Sequence, residues 1–184
     1  VIPGEPAHWE RGGHKVLATT RVLELREVSF RHPKRGTQKD FMVAHAPDWV
    51  NVVARTPDDR IILVRQFRFG SNALSLEVPG GVIEKGEDPV HAGVRELLEE
   101  TGYGGGTARL LGSVLPNPAI MDNRCHIILV DGAVPSGPMN WDPDEEIEVS
   151  LATVAQALDW ARTGKITHSL SVAALMLFEG VRRV

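Results

Sequence analysis

Apolar residues recur along this chain with two different periods, and the switch between them outlines the elements. A loose two-residue alternation runs through residues 16–30, and residues 41–45 read as a second strand. His32, Pro33 and Gly36 mark a turn between them. Residues 49–54 and 60–68 are dense in β-branched and aliphatic side chains and predict two strands, separated by the Thr56-Pro57-Asp58-Asp59 turn. Residues 74–78 form a further strand that runs straight into Gly80 and Gly81. Residues 108–114 and 125–130 are two more strands, and residues 145–149 begin a short one. The period then lengthens. Val154, Leu158 and Ala161 share one stripe of a helix over 151–162 that Gly164 stops, and residues 169–182 read as a last helix. Residues 131–144, rich in Gly, Pro and Asp, read as a mobile loop.

The clearest helix lies between residues 88 and 102. Asp88 suits the N-cap, Pro89 the first helical position and Gly102 the residue just past the end. Val90, Val94 and Leu97 form an apolar stripe that can pack on a sheet. Glu96 and Glu100 fall one turn apart with Glu99 beside them. These three carboxylates crowd the C-terminal end, where the helix dipole disfavours negative charge. With a glycine loop upstream, a divalent-cation site accounts for that arrangement better than a solvated acidic face. Mg²⁺ prefers oxygen ligands and retains several waters.

Composition narrows the setting. The 184 residues are 42% hydrophobic, enough for one substantial domain with a small appendage. A net charge of −4 without a dense basic tract argues against bulk nucleic-acid binding, so an anionic substrate would need local arginines and metal. No run of 18 apolar residues is present, which gives no expectation of a membrane span. The start, Val1 to Glu5, shows no signal pattern and no initiator Met, and is read as trimmed. The single Cys125, in an apolar run, is expected to be a buried thiol in a reducing cytoplasm.

The spacing of Gly81, Glu87, Arg95, Glu96, Leu97, Glu99, Glu100 and Gly102 resembles the signature of the Nudix hydrolases, with Tyr103 standing where an aliphatic residue is usual. The resemblance implies an α/β fold, the Nudix α/β/α sandwich around a mixed sheet, with a small N-terminal antiparallel strand region. Residues 46–184 would form the hydrolase domain. Residues 1–45 would be a strand leader of the kind that pairs with a partner subunit in the ADP-ribose pyrophosphatase branch, so a homodimer is expected. The resemblance makes Glu96 and Glu100 the main Mg²⁺ ligands, with Mn²⁺ a substitute. Glu99 is a further ligand, and the Gly80 carbonyl a backbone ligand. Arg95 and Glu87 look like supports: Arg95 stands four residues before Glu99, and Glu87 just before the cap. A catalytic base is expected from the late acidic stretch, Glu145 first and then Glu146, with Glu99 assisting.

Weaker features bear on the substrate. Arg65-Gln66-Phe67-Arg68 is similar to an element of the ADP-ribose branch in which the last Arg meets the diphosphate, which makes Arg68 the expected phosphate ligand. Pro118, 16 residues after Gly102, resembles a marker of the same branch. The loop it sits in would bring Asn117 to ribose or sugar hydroxyls. Trp49 and Trp9 are candidates for a platform under the base. The expectation is therefore a metal-dependent hydrolase of ADP-ribose or a related nucleoside diphosphate sugar. The alternatives are a pyrophosphohydrolase of another nucleotide (dinucleotide, nucleoside triphosphate or capped RNA) and a sensor that binds without catalysis.

Overall fold

The structure is a computed structural model that describes residues 6–141 and 146–182. The chain divides into two compact units, residues 1–47 with Asn117–Asn123, and residues 48–116 with 124–184.

The smaller unit is an antiparallel meander of β1 (Glu10–Thr19), β2 (Glu24–Arg31) and β3 (Gln38–His45). The alternation over 16–30 is thus cut in two. The Thr20 hydroxyl accepts from the Val22 and Leu23 amides at 3.3 and 3.0 Å, turning the chain where a continuous strand would leave these groups to water. Val28 is its fully buried centre, and Trp9 stands edge-on to His32 and Phe41. Residues 117–123 return to this unit, where the Ala44 amide donates to the Ile120 carbonyl at 2.7 Å. Every residue of β1 is exposed, Val16 and Leu17 among them, as are Phe41 and Met42 of β3.

The larger unit opens with β4 (Trp49–Arg55), β5 (Arg60–Arg68), β6 (Ala73–Glu77) and the short β7 (Gly80–Val82). Then come α1 (Pro89–Thr101), β8 (Tyr103–Gly104), β9 (Thr107–Val114), β10 (Cys125–Asp131) and β11 (Val134–Pro135). It closes with β12 (Glu148–Thr153), α2 (Val154–Thr163) and α3 (Ser169–Arg182). The main sheet runs β12-β5-β4-β10-β9, with β6 on β5 and β7 on β4. It is mixed, because β10 pairs parallel with β4 while the other pairings are antiparallel.

Both faces of its centre are covered, which is why β4 and β10 read as nearly unbroken apolar runs. Val50, Val52, Ala54, Ile128 and Val130 pack with Ala92 and Leu97 of α1. Val53, Cys125, Ile127 and Leu129 pack with α2 and α3 through Leu158, Leu175 and Phe178. This is the α/β/α sandwich expected from the signature. No helix among the described residues is long and apolar enough to cross a membrane.

Some elements differ from the sequence expectation. The helix placed at 151–162 begins at Val154, because Thr153 and Gln156 form a reciprocal capping box and Leu151 pairs with Ile62 on the sheet edge. Strands β7, β8 and β11 span two or three residues, too short for any period to register.

Helix α1 lies close on the sheet at Gly93, where a Cβ would stand 2.9 Å from Ile128 Cγ1 and 3.1 Å from Val50 Cγ2. Gly93→Val is therefore expected to lower stability by about 1–3 kcal/mol in urea denaturation through overpacking. An unchanged midpoint would show that the helix can lift off the sheet without cost.

Candidate active site

Helix α1 starts where its sequence says it should. The Asp88 carboxylate accepts from the Val90 and His91 amides at 2.9 and 3.2 Å, and Gly102 closes the other end in the left-handed region at φ 72°. The glycine loop ahead of it is held from two sides. The Glu84 amide donates to Glu87 Oε2 at 3.0 Å, and the Glu87 carboxylate is in turn gripped by Arg95. Arg95 Nε and Nη2 each donate to it at 2.9 Å, and Nη2 also donates to the Val82 carbonyl at 3.1 Å. The remaining nitrogen, Nη1, donates to Glu96 Oε1 at 2.9 Å and Glu99 Oε2 at 3.0 Å. One guanidinium thus ties loop, strand β7 and two of the three carboxylates together, a use of its planar fork that lysine cannot copy. The hydrogen bonds from Arg95 hold the Glu87 carboxyl below the usual carboxylate range, and those carboxylates raise the Arg95 value in turn.

Glu96 and Glu100 converge on the two glycines. Glu100 is 3% exposed, and its Oε2 accepts from the Gly80 amide at 3.0 Å. A Cβ on Gly80 would collide with the Val50 carbonyl, and one on Gly81 would collide with the Glu96 carboxylate itself. The Glu96 headgroup therefore occupies the space a side chain at 81 would need. Glu99, with 36% of its side chain exposed, is the most accessible of the three.

These donors fit a hard divalent cation. All are oxygens, two are largely withdrawn from water, and a glycine backbone lies against them. Among the described residues no three His, Cys, Asp or Glu side chains come together as a group that could hold a metal ion, and Mg²⁺ needs fewer, since it binds through one or two carboxylates and keeps its waters.

The other predicted residues lie as follows. Arg68 donates from Nε and Nη2 to the two oxygens of Glu77 at 2.9 and 2.6 Å, and Glu77 is 1% exposed. The cluster continues to His168, whose Nδ1 is 3.6 Å from Glu77 and 2.9 Å from the Ser171 hydroxyl. That hydroxyl accepts from the Val78 amide at 3.1 Å. Glu77 is absent from the sequence expectation, although an acid inside an apolar strand just before the glycine loop is a readable signal of a buried pair. Trp49 is half-buried against the core beneath α2 and α3. Asn117 belongs to the smaller unit, where its carbonyl accepts from Ile120 and Met121 at 3.1 and 2.8 Å. Glu146 is exposed, and Glu145 lies outside the described residues. Residues 136–141, expected as part of a mobile loop, are hydrogen-bonded onto the end of α1: the Asn140 amide donates to the Glu99 carbonyl and the Trp141 indole to that of Glu100.

A family model described as the NUDIX domain matches residues 45–170. The chain belongs to the Nudix family. Over 160 residues it is 31% identical to the methanol dehydrogenase activator of Bacillus methanolicus, covering 86% of each chain. It is 29% identical to the ADP-ribose pyrophosphatase of Bacillus subtilis over 160 residues, again 86% of each. A crystal structure of an ADP compounds hydrolase shares the fold with a TM-score of 0.84, over 98% of this chain and 97% of that one, at 20% identity. The stretch from Gly81 to Tyr103 that resembles the Nudix signature lies within the matched residues.

The Arg68–Glu77 pair makes a pH-dependent contribution. Burial pushes the Glu77 carboxyl up, but the hydrogen bonds and charge of Arg68, with the charge of His168, outweigh it and hold Glu77 below its ordinary value. A carboxylate lowered in this way stabilises the fold above its unfolded pKa, about 4.3, and loses that contribution as pH falls through the lower folded value. Arg68→Met should therefore be less stable than the parent at pH 7 by about 1–3 kcal/mol, since it strands a buried acceptor. In urea titrations across pH the gap should narrow below about pH 4. A gap that widens with acid would reject the pair as its source.

Proposed function

We propose that this Nudix protein hydrolyses the diphosphate of ADP-ribose or a related nucleoside diphosphate sugar, giving a nucleoside monophosphate and a sugar phosphate. The observation that carries the reading is the convergence of the Glu96 and Glu100 carboxylates on Gly80 and Gly81. The likeness to an ADP-ribose pyrophosphatase over 86% of both chains supports the substrate class.

Glu96, Glu100, Glu99 and the Gly80 carbonyl would hold a divalent cation, Mg²⁺ or Mn²⁺. When bound, it would supply Lewis-acid polarisation and offset the charge of the diphosphate. The protein's own part is to orient the substrate and move a proton. Arg68, held at two nitrogens by Glu77, presents its guanidinium to a phosphate in a fixed orientation. Trp49 is the proposed contact for the base. Water attacks one phosphorus, the bond to the bridging oxygen breaks, and a carboxylate takes the proton of the attacking water. Glu145 is the proposed base, then Glu146, with Glu99 assisting.

The test is a panel of nucleoside diphosphate sugars, dinucleotides and nucleoside triphosphates assayed with Mg²⁺, products resolved by chromatography. Diphosphate sugars should be split, and Glu96→Gln and Glu100→Gln should each lose on the order of 10³-fold in turnover, the several kcal/mol that cation chemistry supplies. Glu145→Gln should lose less. Hydrolysis of triphosphates alone would overturn the substrate class, and full activity of Glu100→Gln would overturn the metal assignment.

We also propose that the chain works as a homodimer in the cytoplasm. The exposed Val16, Leu17, Phe41 and Met42 of a helix-free meander supply the apolar surface for self-association. The one thiol, Cys125, is buried and pushed up to about 12, so it is protonated and unreactive. Light scattering at micromolar concentration should return twice the 20.1 kDa chain mass, and a monomer would refute the dimer.

A further inference from the structure

We infer that Trp141 is a positioning residue for the carboxylate site, acting through the backbone of Glu100. An α-helix leaves its last four carbonyls without intrahelical donors. In α1 the Gly102 amide answers that of Leu98 at 2.8 Å. The next two belong to Glu99 and Glu100, the residues whose side chains form the site. Both are met from one distant segment: the Asn140 amide donates to the Glu99 carbonyl at 2.9 Å, and Trp141 Nε1 to the Glu100 carbonyl at 3.0 Å. The same segment reaches the Gly102 carbonyl through the Ser136 and Gly137 amides, at 2.8 and 3.2 Å. It lies so close that a Cβ on Gly102 would stand 2.8 Å from the Gly137 carbonyl.

Water could satisfy these carbonyls equally well, so their pairing says little about stability. It does hold the last turn of the helix in place. The Glu100 carboxylate reaches the Gly80 amide from that turn, and a small rotation there would carry it off. The donors also face the negative end of the helix, and so ease the burden of placing carboxylates there. Trp141 itself is 36% exposed, so its ring is not a core element and its N–H is the part with a defined partner.

The inference rests on the metal reading above. Its test is Mn²⁺ binding to the full chain without substrate, followed by electron paramagnetic resonance, alongside thermal melting and steady-state kinetics with ADP-ribose. Trp141→Phe keeps the ring and removes the N–H. It should weaken Mn²⁺ binding on the order of 10-fold, as loss of an outer support does, and lower kcat in step. KM should stay within about twofold and the melting temperature within a few degrees, as for a surface change. A purely structural residue would instead lower the melting temperature and leave the affinity of the folded protein unchanged. Asn140→Pro, which removes the amide facing Glu99, should shift Mn²⁺ affinity in the same direction and carries the test if Trp141→Phe does not fold. If the parent binds Mn²⁺, Glu100→Gln loses it and Trp141→Phe matches the parent, the inference alone fails. If the parent binds no Mn²⁺, or Glu100→Gln binds as the parent does, the metal reading fails and takes the inference with it.

Discussion

The backbone at Gly80 and Gly81 has no side chains, and two carboxylates of α1 close on it, one of them in the space a side chain at 81 would fill. The Gly80 amide bonds Glu100, and the Glu96 headgroup lies where a Cβ on Gly81 would be. The rest of the larger unit serves this approach. Strand β7 must pair with β4 to bring the glycines beneath the helix, and α1 must lie close on the sheet, which Gly93 permits. The apolar stripe that seats α1, with Leu97 fully buried, fixes which side of the helix faces the sheet. The acidic side is placed by the same rotation.

Anions brought together in this way repel, and the fold answers with fixed donors. Arg95 spends all its nitrogens on Glu87, Glu96, Glu99 and the Val82 carbonyl. Because one side chain bridges loop and helix, neither can move without the other. Arg68 and Glu77 repeat the device at the end of β5, with Glu77 buried and Arg68 partly open to solvent. Segment 136–141 closes the far end of the helix through backbone carbonyls. Loop, helix body and helix end are thus each held by hydrogen bonds with defined directions, and such directions, unlike apolar contact alone, can set the aim of a carboxylate.

How legible was this beforehand? Helix α1 was readable to the residue because its limits are local: Asp88, Pro89 and Gly102 act on their own neighbours. The central strands β4 and β10 were readable because covering both faces demands unbroken apolar runs. The start of α2 was misplaced by three residues, since Leu151 suits either a helix stripe or a strand edge and only the Thr153–Gln156 box decides. Within the site, the triple carboxylate and the Arg95–Glu99 pair followed from helical spacing. Glu77 and Trp141 did not, because their partners are Arg68, nine residues away, and Glu100, 41 residues away, and no period links them.

The amino-acid sequence by itself determined the helix with its caps, the order of strands and helices, and the family, all of which depend on residues close in the chain or on a fixed spacing within one element. Only the tertiary structure decided which groups meet across elements: Gly80 with Glu100, Arg68 with Glu77, and Asn140 and Trp141 with the end of α1. These pairings depend on how β7, β6 and residues 136–141 fold back in space. A hydrogen bond across such distances leaves no periodic trace in the chain, because its partners are chosen by the packing of the sheet and not by their separation along it.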